Sequence, residues 1–435
     1  MENKTFRIVI ILQIFSLLYL NVRAQEPLRL TLDQALEIAL SESNTIKIAD
    51  MTVEKSGYAQ KGSYASLYPN VNLTGSYQRT LLKQVMVMDM GGQPMEIKVG
   101  RDNNISASAS ASMPLVNAQL WESLKLSALD VEMAVEQARS SKMSMISQVK
   151  QAFYGVLLAK ESLAVMTQVY ENARANYEKT MQRYQVGKAS EVEKLRAQVN
   201  VMNAGPNVSS CENAVLLATW QLKAVMGLDL AIDIETVGDI KDYTNELLTP
   251  YGREDDISNN SSLLQLDIQD RMLESTLRMQ KKQYLPTLSA NINYNYSAMG
   301  DDKLSWFPSS TAAVSLNIPV FDGFQKHFNI KQSKIAKDML SVQREDVERQ
   351  IRIAIRNYND KIALCVKNYI AANATVEIAQ KSYQISEKMY EVGKATLVEL
   401  NDAQLALQQA QLTQAQAVYD FLVAKAALDE LIGKE

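Results

Sequence analysis

The sequence predicts a mainly α-helical chain with a membrane β-barrel part, laid out twice as helix, two strands and long helical hairpin. Three observations carry this. Only 16 Gly and 9 Pro occur among 435 residues, and long stretches lack both, as long helices require. Segments after Pro69 and Pro286 alternate apolar residues with small uncharged polar ones, the period of a strand. The same order of features returns far along the chain: Tyr184-Gln-Val-Gly187 recurs as Tyr390-Glu-Val-Gly393, an offset of 206.

Composition narrows the function. The chain is 47% apolar and 22% charged, which is globular rather than disordered. A net charge of -4 leaves no basic footprint for nucleic acid. One His and two Cys leave almost no material for a zinc site or a disulfide framework, which excludes most metalloenzymes and His-dependent hydrolases. Cys211 and Cys365 fall inside helical patterns, where they serve either as a pair or as isolated core thiols.

The first element is a signal peptide over residues 1–24. Lys4 and Arg7 precede the apolar run Ile8 to Leu20, and Val22 and Ala24 are the small residues of a cleavage site. The competing reading is a short buried helix. Cleavage removes three basic residues and one acid, which takes the formal charge to -6. The new start, Gln25-Glu26-Pro27, offers no cysteine for a lipid anchor. No other stretch is apolar for 18 residues, so a membrane location requires a closed barrel.

The first structural repeat covers 25–226. Thr31-Leu-Asp-Gln34 reads as a capping box opening a helix that runs to about Ser66. Strands are expected at about 68–82 and 103–114, with a loop between them holding Gly91-Gly92 and Pro94. Val71, Leu73, Gly75 and Tyr77 share one face, and Asn72, Thr74 and Ser76 the other. Long helices follow at about 119–186 and 190–226, with a bend or short break expected at Gly205-Pro206. An inter-repeat segment spans 227–260, with Pro250 and the acidic Glu254-Asp255-Asp256. The second repeat, 261–435, has strands at about 286–299 and 309–320 and helices at about 325–392 and 394–432. The helix from Gln325 to Val392 would be roughly 100 Å long, beyond an ordinary domain, so coiled-coil packing is expected.

The strand pattern suits a wall between lipid and a water-filled lumen. A soluble half-buried hairpin alternates similarly, but its exposed face usually carries Lys and Glu, which are absent here. In the last helix Leu400, Ala403, Leu407, Ala410, Gln414, Ala417, Phe421, Ala424, Leu428 and Leu431 follow the 4-3 spacing of a coiled-coil seam. Val398, Leu405, Leu412, Tyr419 and Ala426 form a second seam, so this helix needs a neighbour on each side. Four strands cannot close a barrel, and two-seamed helices need a ring. A cyclic homo-oligomer satisfies both.

At this point the chain resembles the TolC-like outer-membrane efflux proteins. The resemblance rests on Arg183-Tyr-Gln-Val-Gly-Lys-Ala-Ser190, Tyr390-Glu-Val-Gly-Lys-Ala-Thr-Leu-Val-Glu399, Pro319-Val-Phe-Asp-Gly323 and the opening Leu30-Thr-Leu-Asp-Gln-Ala-Leu-Glu-Ile-Ala39. It covers essentially the whole mature chain. It implies a homotrimer whose twelve strands form one barrel in outer-membrane lipid, continued by an α-helical periplasmic tunnel. It also implies a periplasmic adaptor, an inner-membrane transporter and no cofactor. The turns at Val186 and Val392 would be periplasmic tips that close the channel and dock the adaptor. Residues 227–260 would form a belt around the tunnel.

The candidate tip and gate residues are Tyr184, Gly187, Lys188 and Glu193 in the first repeat. Tyr390, Gly393, Lys394 and Glu399 are their counterparts in the second, with Asp402 as a further acid there. Carboxylates repeated around a constriction would attract cations and repel one another on closure. Ordinary solvated helix charges are the alternative for Glu193, Glu399 and Asp402. The basic residue often found two places after the tip glycine is absent, with Ala189 and Ala395 there instead. His327 reads as a surface residue. Tyr77, Tyr294, Tyr296, Trp306 and Phe307 suit either an interfacial girdle or plain packing.

The function expected is passive conduction of exported substrates, by efflux or type I secretion. No Walker motif or phosphate-binding glycine loop is present to supply energy. A secreted coiled-coil scaffold or surface fibre is the alternative, against which stand the two lipid-matched strand pairs. An enzyme on a helical bundle would need paired Glu-x-x-His motifs, which a single His cannot supply.

Overall fold

The structure is a computed structural model that describes residues 28–89, 94–249, 253 and 255–434. The signal peptide, the start at Gln25, Gly91-Gly92, Pro250 and Glu254 lie outside the described residues.

In chain order, β1 (Leu28–Leu30) leads into α1 (Leu32–Glu42) and α2 (Asn44–Ala65). Next come β2 (Asn70–Arg79), β3 (Gln84–Asp89), β4 (Pro94–Val99) and β5 (Asn103–Val116), then α3 (Ala118–Gln185) and α4 (Glu191–Met226). β6 (Ile234–Thr236), a 3-10 turn (Ile240–Tyr243) and α5 (Thr244–Leu248) join the repeats. The second copy is α6 (Ser261–Lys282), β7 (Thr287–Gly300), β8 (Ser305–Asn317), α7 (Gln325–Glu391) and α8 (Leu397–Ile432). Thr31 and Gln34 form the reciprocal capping box at the start of α1, with bonds of 3.4 and 3.0 Å. The expected single helix to Ser66 is corrected: extended backbone at Ser43 (ψ 129°) ends α1, and Asn44 starts α2.

The chain divides into two compact units. One holds Met51–Gln137 and Leu264–Asp346. Its centre is a four-stranded antiparallel sheet in the order β2-β5-β7-β8, so the two repeats join through β5 and β7. The register sorts the faces. Val71, Ala111, Ile292 and Ala312 stand in one row. The next row is Asn72, Ser110, Asn293 and Thr311. From Asn70 to Gln78 the polar rows carry no charged side chain. Hydroxyls bridge β2 to β5 on that face, Thr74 to Ser108 at 2.6 Å and Ser76 to Ser106 at 2.8 Å. On the apolar face Tyr296 stacks on Trp306 with centroids 4.7 Å apart. Both edge strands are exposed along their length, and Leu73 is 82% exposed.

The expected loop over 83–103 is corrected to a second hairpin, β3 with β4, in register from Gln84 opposite Val99 to Asp89 opposite Pro94. Its base is held by Asp301 in the β7–β8 turn. Lys83 Nζ reaches Asp301 at 2.8 Å, Arg101 donates to it at 3.0 Å, and the Asp102 amide at 2.8 Å. The Lys83 bond first, then the Asp102 amide and Arg101, hold the Asp301 carboxyl well below the usual carboxylate range.

The other unit takes the described residues up to Asp50, with Ala138–Leu263 and those from Val347 onward. It is helical, apart from the parallel pair β1 and β6. Leu400, Leu407, Ala410, Ala417, Phe421, Ala424 and Leu428 of the first α8 seam are buried. Of the second seam Val398 and Leu405 are exposed, Leu405 by 60%, while Leu412 and Tyr419 are half-buried and Ala426 is buried within the chain. On α4, Val192, Leu195, Val199 and Met202 repeat at coiled-coil spacing and are also exposed. The break expected at Gly205-Pro206 is corrected too: α4 is continuous through it. Pro206 is exposed, so its missing N–H costs one hydrogen bond without burying an orphaned carbonyl partner. Cys365 is buried, Cys211 half-buried, and neither is bonded to another cysteine. No described helix is long and apolar enough to cross a membrane.

Candidate functional site: the helical hairpin tips

Each tip turn closes with the same pair of bonds. Gly187 N–H donates to Tyr184 O at 3.0 Å and Lys188 N–H to Arg183 O at 2.7 Å. Gly393 N–H donates to Tyr390 O at 3.0 Å and Lys394 N–H to Met389 O at 2.8 Å. This is the Schellman termination, which needs a left-handed residue after the helix. The φ values of Gly187 (73°) and Gly393 (77°) supply it at no steric cost.

The return helices begin with matched capping boxes. Ser190 caps α4 with Glu193, whose carboxylate accepts from Ser190 N–H at 2.9 Å. Thr396 caps α8 with Glu399, which accepts from Thr396 N–H at 2.7 Å and from its hydroxyl at 3.1 Å. Those two bonds lower the Glu399 pKa. Both acids therefore have a local structural role.

The two hairpins of one chain are tied together. Tyr390 is 3% exposed, and its hydroxyl lies 2.6 Å from Thr180 Oγ1. Arg183 donates to Tyr390 O at 3.0 Å while its guanidinium sits 5.1 Å from the Tyr390 ring centre. Lys179 reaches Glu391 at 2.5 Å and Glu387 at 4.0 Å, and the Lys179 bond lowers the Glu391 pKa. Beneath them lies a small core of Ala197, Ala379, Tyr383, Leu397 and Leu400. Burial first, then Glu387, pushes the Tyr383 hydroxyl up to about 12.

Of the residues picked from sequence, Tyr390 joins the other hairpin. Tyr184 instead packs under Lys194 of its own hairpin, at 4.6 Å. Lys188 and Lys394 extend into solvent, and Asp402 is exposed one turn beyond Glu399. Sequence reasoning missed Lys179, Thr180 and Arg183, because no local pattern marks a partner some 210 positions away. It also missed Ser190 and Thr396, although the Ser/Thr-x-x-Glu signature was legible at both.

The sheet and paired long hairpins define a channel-tunnel fold. Solved outer-membrane channels share it. The Campylobacter jejuni CmeC outer membrane channel has TM-score 0.74 at 16% identity, over 92% of this chain and 85% of that one. CusC, described in terms of transmembrane channel formation, has TM-score 0.75 at 16% identity, over 93% and 92%. Outer membrane protein TolC of Vibrio cholerae is 23% identical over 383 residues, covering 86% of this chain and 84% of that protein. The family model described as outer membrane efflux protein matches residues 35–228 and 254–434. The chain belongs to that family, resides in the outer membrane and extends its tunnel into the periplasm.

Proposed function

We propose that three copies of this chain close one twelve-stranded barrel and one helical tunnel. Substrates reach it from an inner-membrane transporter through a periplasmic adaptor, and the hairpin tips gate the entrance. Gly187 and Gly393 shape the tips, Tyr184 and Tyr390 pack them, and Lys188 and Lys394 meet solvent. Glu193, Glu399 and Asp402 supply the carboxylates nearest the constriction. The chain acts as a passive conduit without catalysis or cofactor.

One observation carries this reading: a four-stranded sheet with two open edges, one apolar face and one uncharged polar face. Lipid cannot satisfy the bare backbone groups of β2 and β8, and neighbouring copies can. The exposed apolar residues Val192, Leu195, Val199 and Met202 of α4 and Val398 and Leu405 of α8 ask for the same neighbours.

The test is a pair of adjacent substitutions on β7. Ile292→Arg puts a charge on the lipid face, which costs about 2–4 kcal/mol at mid-bilayer. Asn293→Arg puts the same charge in the lumen. Outer-membrane yield of assembled protein should fall sharply for the first and stay near wild type for the second. Equal yields contradict the assigned facing.

A further inference from the structure

The sheet-bearing unit divides its charge sharply by distance along the helices from the sheet. Its four helix ends adjoin the strands through connections of one to seven residues. Residues 55–65 of α2, 118–128 of α3, 275–282 of α6 and 325–337 of α7 carry ten Lys and Arg and a single acid, Glu122. The remaining helical residues of the same unit carry ten acids and two Arg. The cationic zone is about 12–20 Å deep along the helix axes. The chain as a whole is acidic, so this is a local arrangement.

Glu122 does not offset the zone. It is buried, and Lys282 at 2.6 Å, Lys125 at 3.2 Å and Arg278 at 3.6 Å surround it. Lys326 pairs with Asp322, and Lys337 with Glu274 and Asp270. The other five, Lys55, Lys61, Lys281, Lys331 and Lys334, are exposed and enter no ion pair among the described residues.

Aromatic side chains share the faces of these cations. Trp121, 55% exposed, stands one turn before Lys125 on α3. Phe328 stands three residues before Lys331 on α7 and is also exposed. Lys61 Nζ lies 5.1 Å from the Tyr58 ring centre, and Lys326 Nζ 5.2 Å from that of Tyr284. Exposed aromatics at the end of the sheet, followed at once by lysines of which Lys61 and Lys331 are free of ion pairs, match the chemistry of a lipid leaflet's edge. Acids held farther away avoid repulsion from the same headgroups, because such attraction fades within a Debye length.

We infer that these helix ends form a cationic collar that binds anionic phospholipid headgroups in the periplasmic leaflet. The inference rests on the membrane-spanning reading of the sheet, and the experiment separates the two. The chain has three Trp, at 121, 220 and 306. One full-length variant keeps only Trp121 (Trp220→Phe, Trp306→Phe). The other keeps only Trp306 (Trp121→Phe, Trp220→Phe), which lies on the apolar face of β8 in the row of Ala298. Each is placed in phosphatidylethanolamine vesicles containing a minor fraction of acyl-brominated phosphatidylglycerol or acyl-brominated phosphatidylethanolamine.

Bromine should quench Trp306 equally from either lipid. It should quench Trp121 preferentially from phosphatidylglycerol, with the anionic lipid enriched about fivefold over its bulk fraction. Combining Lys55→Gln, Lys61→Gln, Lys281→Gln, Lys331→Gln and Lys334→Gln should abolish that preference and leave Trp306 quenching unchanged. Equal quenching of Trp121 by both lipids while Trp306 is quenched overturns the collar. So does a preference that survives the five substitutions. An unquenched Trp306 overturns the membrane-spanning sheet, and the collar with it.

Discussion

A carboxylate three residues past a helix cap can satisfy that cap and still border a pore, and Glu399 caps α8 while remaining exposed. Its bonds to Thr396 lower its pKa, so its contribution to α8 is complete above the ordinary value near 4.5. That contribution is lost as pH falls through the lower folded value. Asp402, one turn on and exposed, stands beside Glu399. Replacing both with Ala should raise resting ion leak through purified protein in planar bilayers. An unchanged resting conductance would remove these two residues from the gate. The motif around Tyr390 was legible in the sequence, because a repeat displays matching positions side by side. The partners of Tyr390 were not, since Thr180 and Arg183 meet it only after two hairpins pack.

At the scale of elements, turns and linkers decide what can move. Gly393 adopts φ 77° to end α7, so a β-branched side chain there is strained whatever space it has. Gly393→Val should distort the tip and lower crosslinking yield to the periplasmic adaptor, and a wild-type yield would count against a docking tip. The β3–β4 hairpin depends on Asp301 in a second way. The Asp301 pKa is depressed, so its clasp on Lys83, Arg101 and the Asp102 amide holds above the ordinary value near 3.8. The clasp weakens as pH falls below that value. Protection of the Asp102 amide, taken relative to its intrinsic exchange rate at each pH, should therefore decline progressively below about pH 4, and Asp301→Ala should show the low protection already at neutral pH. The hairpin was missed in the sequence because Val85, Met86, Val87 and Met88 are apolar on both faces, which erases the two-residue period. Gly91-Gly92 and Pro94 then read as loop. Pro206 misled in the opposite direction, since a proline on an exposed helix face removes one bond and need not end the helix.

For the whole molecule, the sequence shows what one chain lacks. Strand alternation, breaker-free helices and duplicated order were all legible, because each is written in local periodicity. The joining of the repeats through β5 and β7 was not, since strand order depends on contacts nearly two hundred residues apart. Once β5 and β7 pair, β2 and β8 become the free edges, and β8 of one copy can meet β2 of the next. The exposed apolar residues on α4 and α8 repeat this incompleteness in the helical unit. A sheet and a helix wall that both need neighbours are satisfied together by one cyclic assembly. The most direct measurement is the mass of the complex extracted in mild detergent from the outer-membrane fraction. A particle of three protein masses is expected. A monomer recovered from the soluble periplasmic fraction would contradict the shared barrel.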